Sequence, residues 1–179
     1  QAKALAGKGD NEGALRALRA ILETNPTDRR APSALYDMSQ LYRLRHESEE
    51  AIRCAQRILD QYPDSYETRS GLASYRVATY KVHDTQEYNG AIAAAQAALA
   101  KPDFQIARSL RRSLVTVIAH AYNGLGNGTE AEKWLTEQLP TCPYLLSYNY
   151  YYNTIVEAKI LGNDFDGALA HARAGYATC

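Results

Sequence analysis

The sequence predicts an all-α chain of stacked antiparallel helix pairs, on three observations. A phrase recurs five times, a small residue followed by apolar residues at helical spacing. Its alanines are Ala14, Ala51, Ala91, Ala131 and Ala168, at intervals of 37, 40, 40 and 37 residues, and a period of that size marks helix-pair repeats. Proline falls after most copies, at Pro26, Pro63, Pro102 and Pro143, where it cannot continue a helix. Three of the copies follow a turn rich in glycine with aspartate or asparagine, at Gly7 to Asp10, Gly124 to Gly128 and Gly162 to Asp164.

Each element has its own reason to form. The second helix of the first copy carries Ala14, Leu15, Leu18, Ile21 and Leu22 on one stripe. The next copy repeats that spacing with Ala51, Ile52, Ala55, Ile58, Leu59 and Tyr62, the third with Ala91, Ile92, Ala95, Ala98 and Leu99, and the fifth with Ala168, Leu169, Ala172, Gly175 and Tyr176. Such a stripe is one face of an α-helix. Small residues sit where two helices must approach closely. A first helix precedes most of these, with Leu35, Met38, Ser39 and Tyr42 buried in copy two, Val115, Ile118, Ala119 and Tyr122 in copy four, and Tyr152, Ile155 and Val156 in copy five. In the turns, glycine is expected to take the left-handed conformation that ends a helix, and aspartate or asparagine to cap the next. The fourth copy carries Glu132 and Gln138 where its sisters are apolar, with Trp134 between them, so its packing should differ locally.

Bulk properties narrow the function. The 179 residues hold 20 lysines plus arginines against 20 acidic residues, so no overall field draws the chain to nucleic acid or anionic lipid. Apolar runs such as Leu114 to Ala119 are far too short to span a membrane. Residues Gln1 to Asn11 show no secretory leader. A start at Gln1 rather than methionine is expected of an excerpt from a longer chain. Cys54, Cys142 and Cys179 fit neither a disulfide framework nor a zinc pattern; buried free thiols in a reducing, cytoplasmic setting are the expectation.

With these residues in register, the chain resembles the tetratricopeptide repeat family. Tyr88 and Phe165 match that family's turn aromatic, the five alanines its small residues, and the prolines its closing position. The units run approximately 1–26, 33–63, 66–102, 105–143 and 145–179, and their repeat interval of 37 to 40 residues exceeds the roughly 34 usual for the family. The extra residues, Thr27 to Pro32 and Asp64 to Arg69, predict first helices longer by about a turn. The resemblance implies a right-handed superhelical array, an α-solenoid whose first helices line a concave groove, acting as a non-catalytic protein-binding scaffold.

Residues one step off each buried stripe should face that groove. They are Tyr36, Asp37, Gln40 and Arg43 in unit two, and Arg69, Ala73, Arg76, Tyr80 and His83 in unit three. Unit four offers Arg112, Ser113, Thr116, His120 and Asn123, and unit five Tyr150, Asn153, Thr154 and Glu157. Arginine and tyrosine are favoured anchors because both combine contact area with donors, so the groove is expected to hold a peptide or protein of acidic character. The alternative is a solvated face whose arginines pair with neighbouring carboxylates. The pattern that grips acidic chaperone tails, two asparagines with several basic side chains, is only partly present, and Asp37 would repel a carboxylate.

Other readings are weaker. The run Tyr144 to Tyr152 could be an aromatic platform, but helical spacing places Tyr144, Tyr148, Tyr151 and Tyr152 near one face as packing and turns Tyr150 elsewhere. His46, His83, His120 and His171 lie in different units with no ligand set for a metal and no cofactor motif. Ser113 and His120 share one helix, but no oxyanion site accompanies them. Arg108, Arg111 and Arg112 crowd a helix start, where cations are mildly unfavourable. A second functional class remains open: a sensing, output or dimerisation domain of a larger bacterial regulator. The stripe Ala168, Leu169, Ala172 and Tyr176 near the C-terminal end predicts homodimerisation through that end.

Overall fold

The computed structural model describes Gly7, residues 9–147 and 149–177. Cys179 and Tyr148 lie outside the described residues. The chain is an all-α array: α1 (Asn11–Thr24), α2 (Ala31–Leu44), α3 (Ser48–Gln61), α4 (Tyr66–Arg69), α5 (Leu72–Tyr80), α6 (Tyr88–Leu99), α7 (Arg108–Gly124), α8 (Gly128–Gln138), α9 (Asn149–Leu161) and α10 (Phe165–Ala177). A π-helical turn, Lys81–Thr85, prolongs α5, and a 3-10 turn, Pro143–Ser147, precedes α9. Helices pack mainly on their sequence neighbours, and the first helices also touch one another, α5 on α7 and α7 on α9. This one-dimensional contact pattern is that of a solenoid.

The repeated alanines are what lets the helices close. Ala14, Ala51, Ala91 and Ala131 are fully buried and Ala168 nearly so; a larger side chain there would force the pair apart. Around them run three apolar clusters. One joins α1, α2 and α3 to Ala73 and Tyr80, one joins α5, α6 and α7, and one joins α7, α8 and α9. Leu99, Tyr122 and Trp134 belong to both of the last two, so these form one seam. Trp134 sits across it, its indole N–H donating to the Val115 carbonyl at 2.9 Å.

The turns repeat more strictly than the sequence pattern foretold. Gly9, His46, Gln86, Gly126 and Asn163 all have positive φ, each five residues ahead of its alanine. The residue after each one, Asp10, Glu47, Glu87, Asn127 or Asp164, accepts the alanine's amide at its backbone carbonyl. Asp10, Asn127 and Asp164 also cap with their side chains, on Gly13, Glu130 and Gly167. Glycine was expected to supply the left-handed residue, and it does so at Gly9 and Gly126. In the turn Gly162 to Asp164 the residue is instead Asn163, and His46 and Gln86 fill the role where no glycine is available. Gly128 serves another need: a Cβ there would lie 2.2 Å from the Ala158 carbonyl oxygen.

The expected lengthening of first helices does not appear in unit two, where Thr27 to Arg30 lie in the turn ahead of the 14-residue α2. Helix α7 has 17 residues, but the extra residues of unit three form the separate helix α4. Ser70 and Gly71 (φ +79°) then break the chain before α5. In unit four, Glu132 accepts from Lys159 at 2.6 Å, and Lys159 also donates to Asp164 at 2.9 Å. Both bonds raise the pKa of this largely buried ammonium. Among the described residues no helix is long and apolar enough to cross a membrane. Cys54 and Cys142 are buried free thiols, and burial pushes the Cys54 thiol up to about 11.

Candidate functional site: the polar face of the first helices

Helices α2, α5, α7 and α9 bring the candidate side chains together in two clusters. The first is built on Arg76. Its guanidinium donates to the Tyr36 hydroxyl at 2.9 and 3.2 Å and to Gln40 Oε1 at 3.2 Å. The rings of Tyr36, Tyr80 and Tyr75 lie 5.1, 5.9 and 6.0 Å from its central carbon, within cation–π range. Among the described residues no carboxylate lies within ion-pair distance of Arg76. Arg43 differs. It sits 5.2 Å from the Tyr80 ring centroid and is paired with Asp84 at 2.9 Å. Both arginines line a cleft of about 540 Å³ with Gln40, Leu44, Tyr80 and Asp84. Tyr80 itself is fully buried, and burial raises the pKa of its hydroxyl against the opposing pull of Arg76.

The second cluster joins α7 to α9. His83 and His120 meet edge to face at 5.8 Å, and His120 meets the Tyr150 ring at 4.9 Å. Thr154 donates its hydroxyl proton to the Tyr150 carbonyl at 2.7 Å, so its oxygen accepts from His120 Nε2 at 3.1 Å. That assigns the proton of the neutral imidazole to Nε2. Nδ1 then faces Glu157 Oε2 at 3.8 Å. Asn123 donates to the Thr154 carbonyl and to Glu157, both at 3.0 Å. Burial lowers the pKa of both histidines; Asp84 opposes this at His83, and Glu157 at His120.

The remaining candidates fall elsewhere. Thr116 is 2% exposed and bonds back to the carbonyls of Arg112 and Ser113, so it is turned into its own helix. Arg69 is exposed on α4. Asn153 lines a different cleft with Tyr152, Val156, Ala172 and Tyr176 at the α9–α10 end. Ser113 donates to the Ser109 carbonyl while His120 engages Thr154, so the two form no nucleophile–base pair. Arg112 and Ser113 line a cleft at the start of α7. Tyr151 is buried and stacks edge to face on Tyr152 at 5.2 Å, while Tyr150 is 40% exposed, which divides the tyrosine run as helical spacing suggested.

Sequence reasoning missed Asp84 and Tyr75. The π-helical turn advances the register between Tyr80 and Asp84, so a fixed helical period does not carry Asp84 onto Arg43.

No family model matches the chain, and no curated protein does. Solved structures do. MamA 41-end from Desulfovibrio magneticus RS-1 superposes at TM-score 0.76 with 17% identity, covering 99% of this chain and 90% of that one. A crystal structure of MamA gives TM-score 0.76 with 20% identity, covering 99% and 93%. The P58(IPK) TPR domain aligns at TM-score 0.50 and 18% identity, over 97% of this chain and 48% of that one. The fold is that of a tetratricopeptide array. The array's polar face, with its two side-chain clusters, is the candidate binding surface.

Proposed function

We propose that the array is a non-catalytic scaffold whose first-helix groove holds a peptide or protein segment of acidic character, with Arg76 as the anchor. The arrangement around Arg76 carries this reading. The guanidinium is held in place by neutral partners, Tyr36 and Gln40, and flanked by three tyrosine rings, so its charge is oriented without being neutralised. A partner's carboxylate would meet a donor already fixed in position, which lowers the ordering cost of capture. Arg43 contributes less because Asp84 already occupies it. To that extent the view of a face whose arginines pair internally holds for Arg43 and not for Arg76.

The test is fluorescence anisotropy with a labelled glutamate-rich peptide. Arg76→Gln should weaken binding about tenfold, the scale of one charge-assisted contact. Asp84→Asn should tighten it, because it releases Arg43. Equal affinity of Arg76→Gln and the parent chain, with the helical circular dichroism intact, would sink the reading.

A homotypic contact is a second reading, favoured by one observation. Phe165, Leu169 and Tyr176 are 63, 50 and 87% exposed on α10, a stripe of large apolar side chains that association would cover.

A further inference from the structure

The start of α7 carries basic residues that the groove reading leaves without a role. Helix α7 begins after Ala107, which offers no capping side chain, and its first turn holds no acidic residue. The first helical bond there is from the Arg111 amide to the Ala107 carbonyl. The amides of Arg108, Ser109 and Leu110 therefore point out of the helix with no acceptor among the described residues. Arg108 and Arg111 form no ion pair among the described residues either. Cations at this end oppose the helix dipole, and a bound anion would reverse that penalty for both.

The tertiary fold brings a second wall to the start of α7. Gly71, in the left-handed conformation at the break between α4 and α5, lets Ile106 and Leu110 approach its backbone; a Cβ would lie 3.3 Å from Ile106. That contact sets Ser70 beside the start of α7. Between them lies a cleft of about 270 Å³ lined by Ser70, Gln105, Ser109, Leu110, Arg112 and Ser113, with no carboxylate in its lining. Ser70 is only 7% exposed, and its Oγ is buried with no hydrogen-bond partner among the described residues. An orphaned hydroxyl in such a place is destabilising unless something bonds to it.

We propose that this cleft is an oxyanion site for a phosphoryl group, either free phosphate or a phosphoserine side chain of a protein partner. The amides of Ser109 and Leu110 at the helix start, the hydroxyls of Ser70 and Ser109 and the Gln105 side chain, with Arg112 in the same lining, offer more donors than a carboxylate can use. They match the three terminal oxygens of a phosphate monoester. The charge of Arg112 in the lining, with Arg108 and Arg111 in the same first turns of α7 and the positive end of the helix, suits a dianion. This site does not depend on what the Arg76 cluster holds, and its failure would leave that reading intact.

The experiment is an amide nuclear magnetic resonance titration of the full chain at constant ionic strength. Inorganic phosphate is used in one arm and acetyl-Gly-phosphoserine-Gly-amide in the other. The amide signals of Arg108, Ser109 and Leu110 should shift with millimolar saturation. A tighter midpoint for the peptide assigns the site to a protein-borne phosphate; an equal or weaker one assigns it to the free ion. Ala107→Asp supplies a capping carboxylate that takes up the same amides. It should keep or raise the melting temperature while weakening phosphate binding about tenfold. Ser70→Ala should weaken binding with the fold retained. No movement of the three amides in either arm, or unaltered binding in Ala107→Asp, would overturn the proposal.

Discussion

At the scale of single residues, two imidazoles link the stability of the array to pH. His83 and His120 have lowered proton affinity, chiefly because burial disfavours the charged ring. Arg43 adds to this at His83 and Asp84 opposes it; His83 adds to it at His120 and Glu157 opposes it. Unfolding returns both to the ordinary value of 6.5. The folded chain therefore binds fewer protons than the unfolded chain in the mildly acidic range. Their contribution is fully present above about pH 6.5 and is lost as pH falls through the depressed folded values. Thermal melts followed by circular dichroism should give a lower midpoint near pH 5 than at neutrality. Replacing both rings in His83→Gln/His120→Gln should flatten that dependence. An unchanged acid loss in the double variant would place its origin in other groups. The same residue scale accounts for the arginines: Arg43 and Arg76 share the Tyr80 ring, yet among the described residues only Arg43 meets a carboxylate.

At the scale of elements, the turn before each second helix is a fixed device: a left-handed residue, then an acidic or amide residue, then four residues on the buried alanine. The backbone geometry holds in all five copies although the left-handed residue is glycine in only two of them. Non-glycine residues are strained in that region. Gln86→Gly is therefore expected to stabilise the chain by about 0.5–1 kcal/mol and Gly126→Ala to destabilise it by a similar amount. Urea unfolding would read both, and the same sign for the two changes would mean that packing, not backbone conformation, governs these turns. The turn aromatics show how context decides one residue type. Tyr88 packs against Gly124, where a Cβ would come within 2.3 Å of its ring. Phe165, at the matching position, is 63% exposed, because among the described residues no later turn covers it.

At the scale of the whole molecule, the array has a continuous interior but an uneven exterior. Three clusters run from α1 to α9, whereas α10 buries Ala168 and Gly175 and leaves its large side chains outward. Sedimentation velocity should show association that grows with concentration, and Leu169→Glu/Tyr176→Glu should reduce it. A monomer at every concentration for the parent chain would remove the homotypic contact from consideration. Such contacts would leave the Arg76 cluster open, since it lies on the α2 and α5 faces.

Read alone, the amino-acid order determined the all-helical class, the five alanines at the helix contacts, and the caps at Asp10, Asn127 and Asp164. Each of these depends on interactions within a turn or two of the chain, where spacing translates directly into geometry. It also pointed to Tyr36, Gln40, Arg43, Arg76 and Tyr80 on α2 and α5, which the structure brings together. It put Thr116 and Arg112 of α7 on the same face, but they lie elsewhere. Only the tertiary structure decided which of them meet. The break at Gly71 and the π-helical turn at Lys81–Thr85 shift the register of unit three, bringing Asp84 to Arg43, His83 to His120 and Ser70 to the start of α7. Contacts between helices depend on such offsets and on how one pair leans on the next, and neither is written in a regular period.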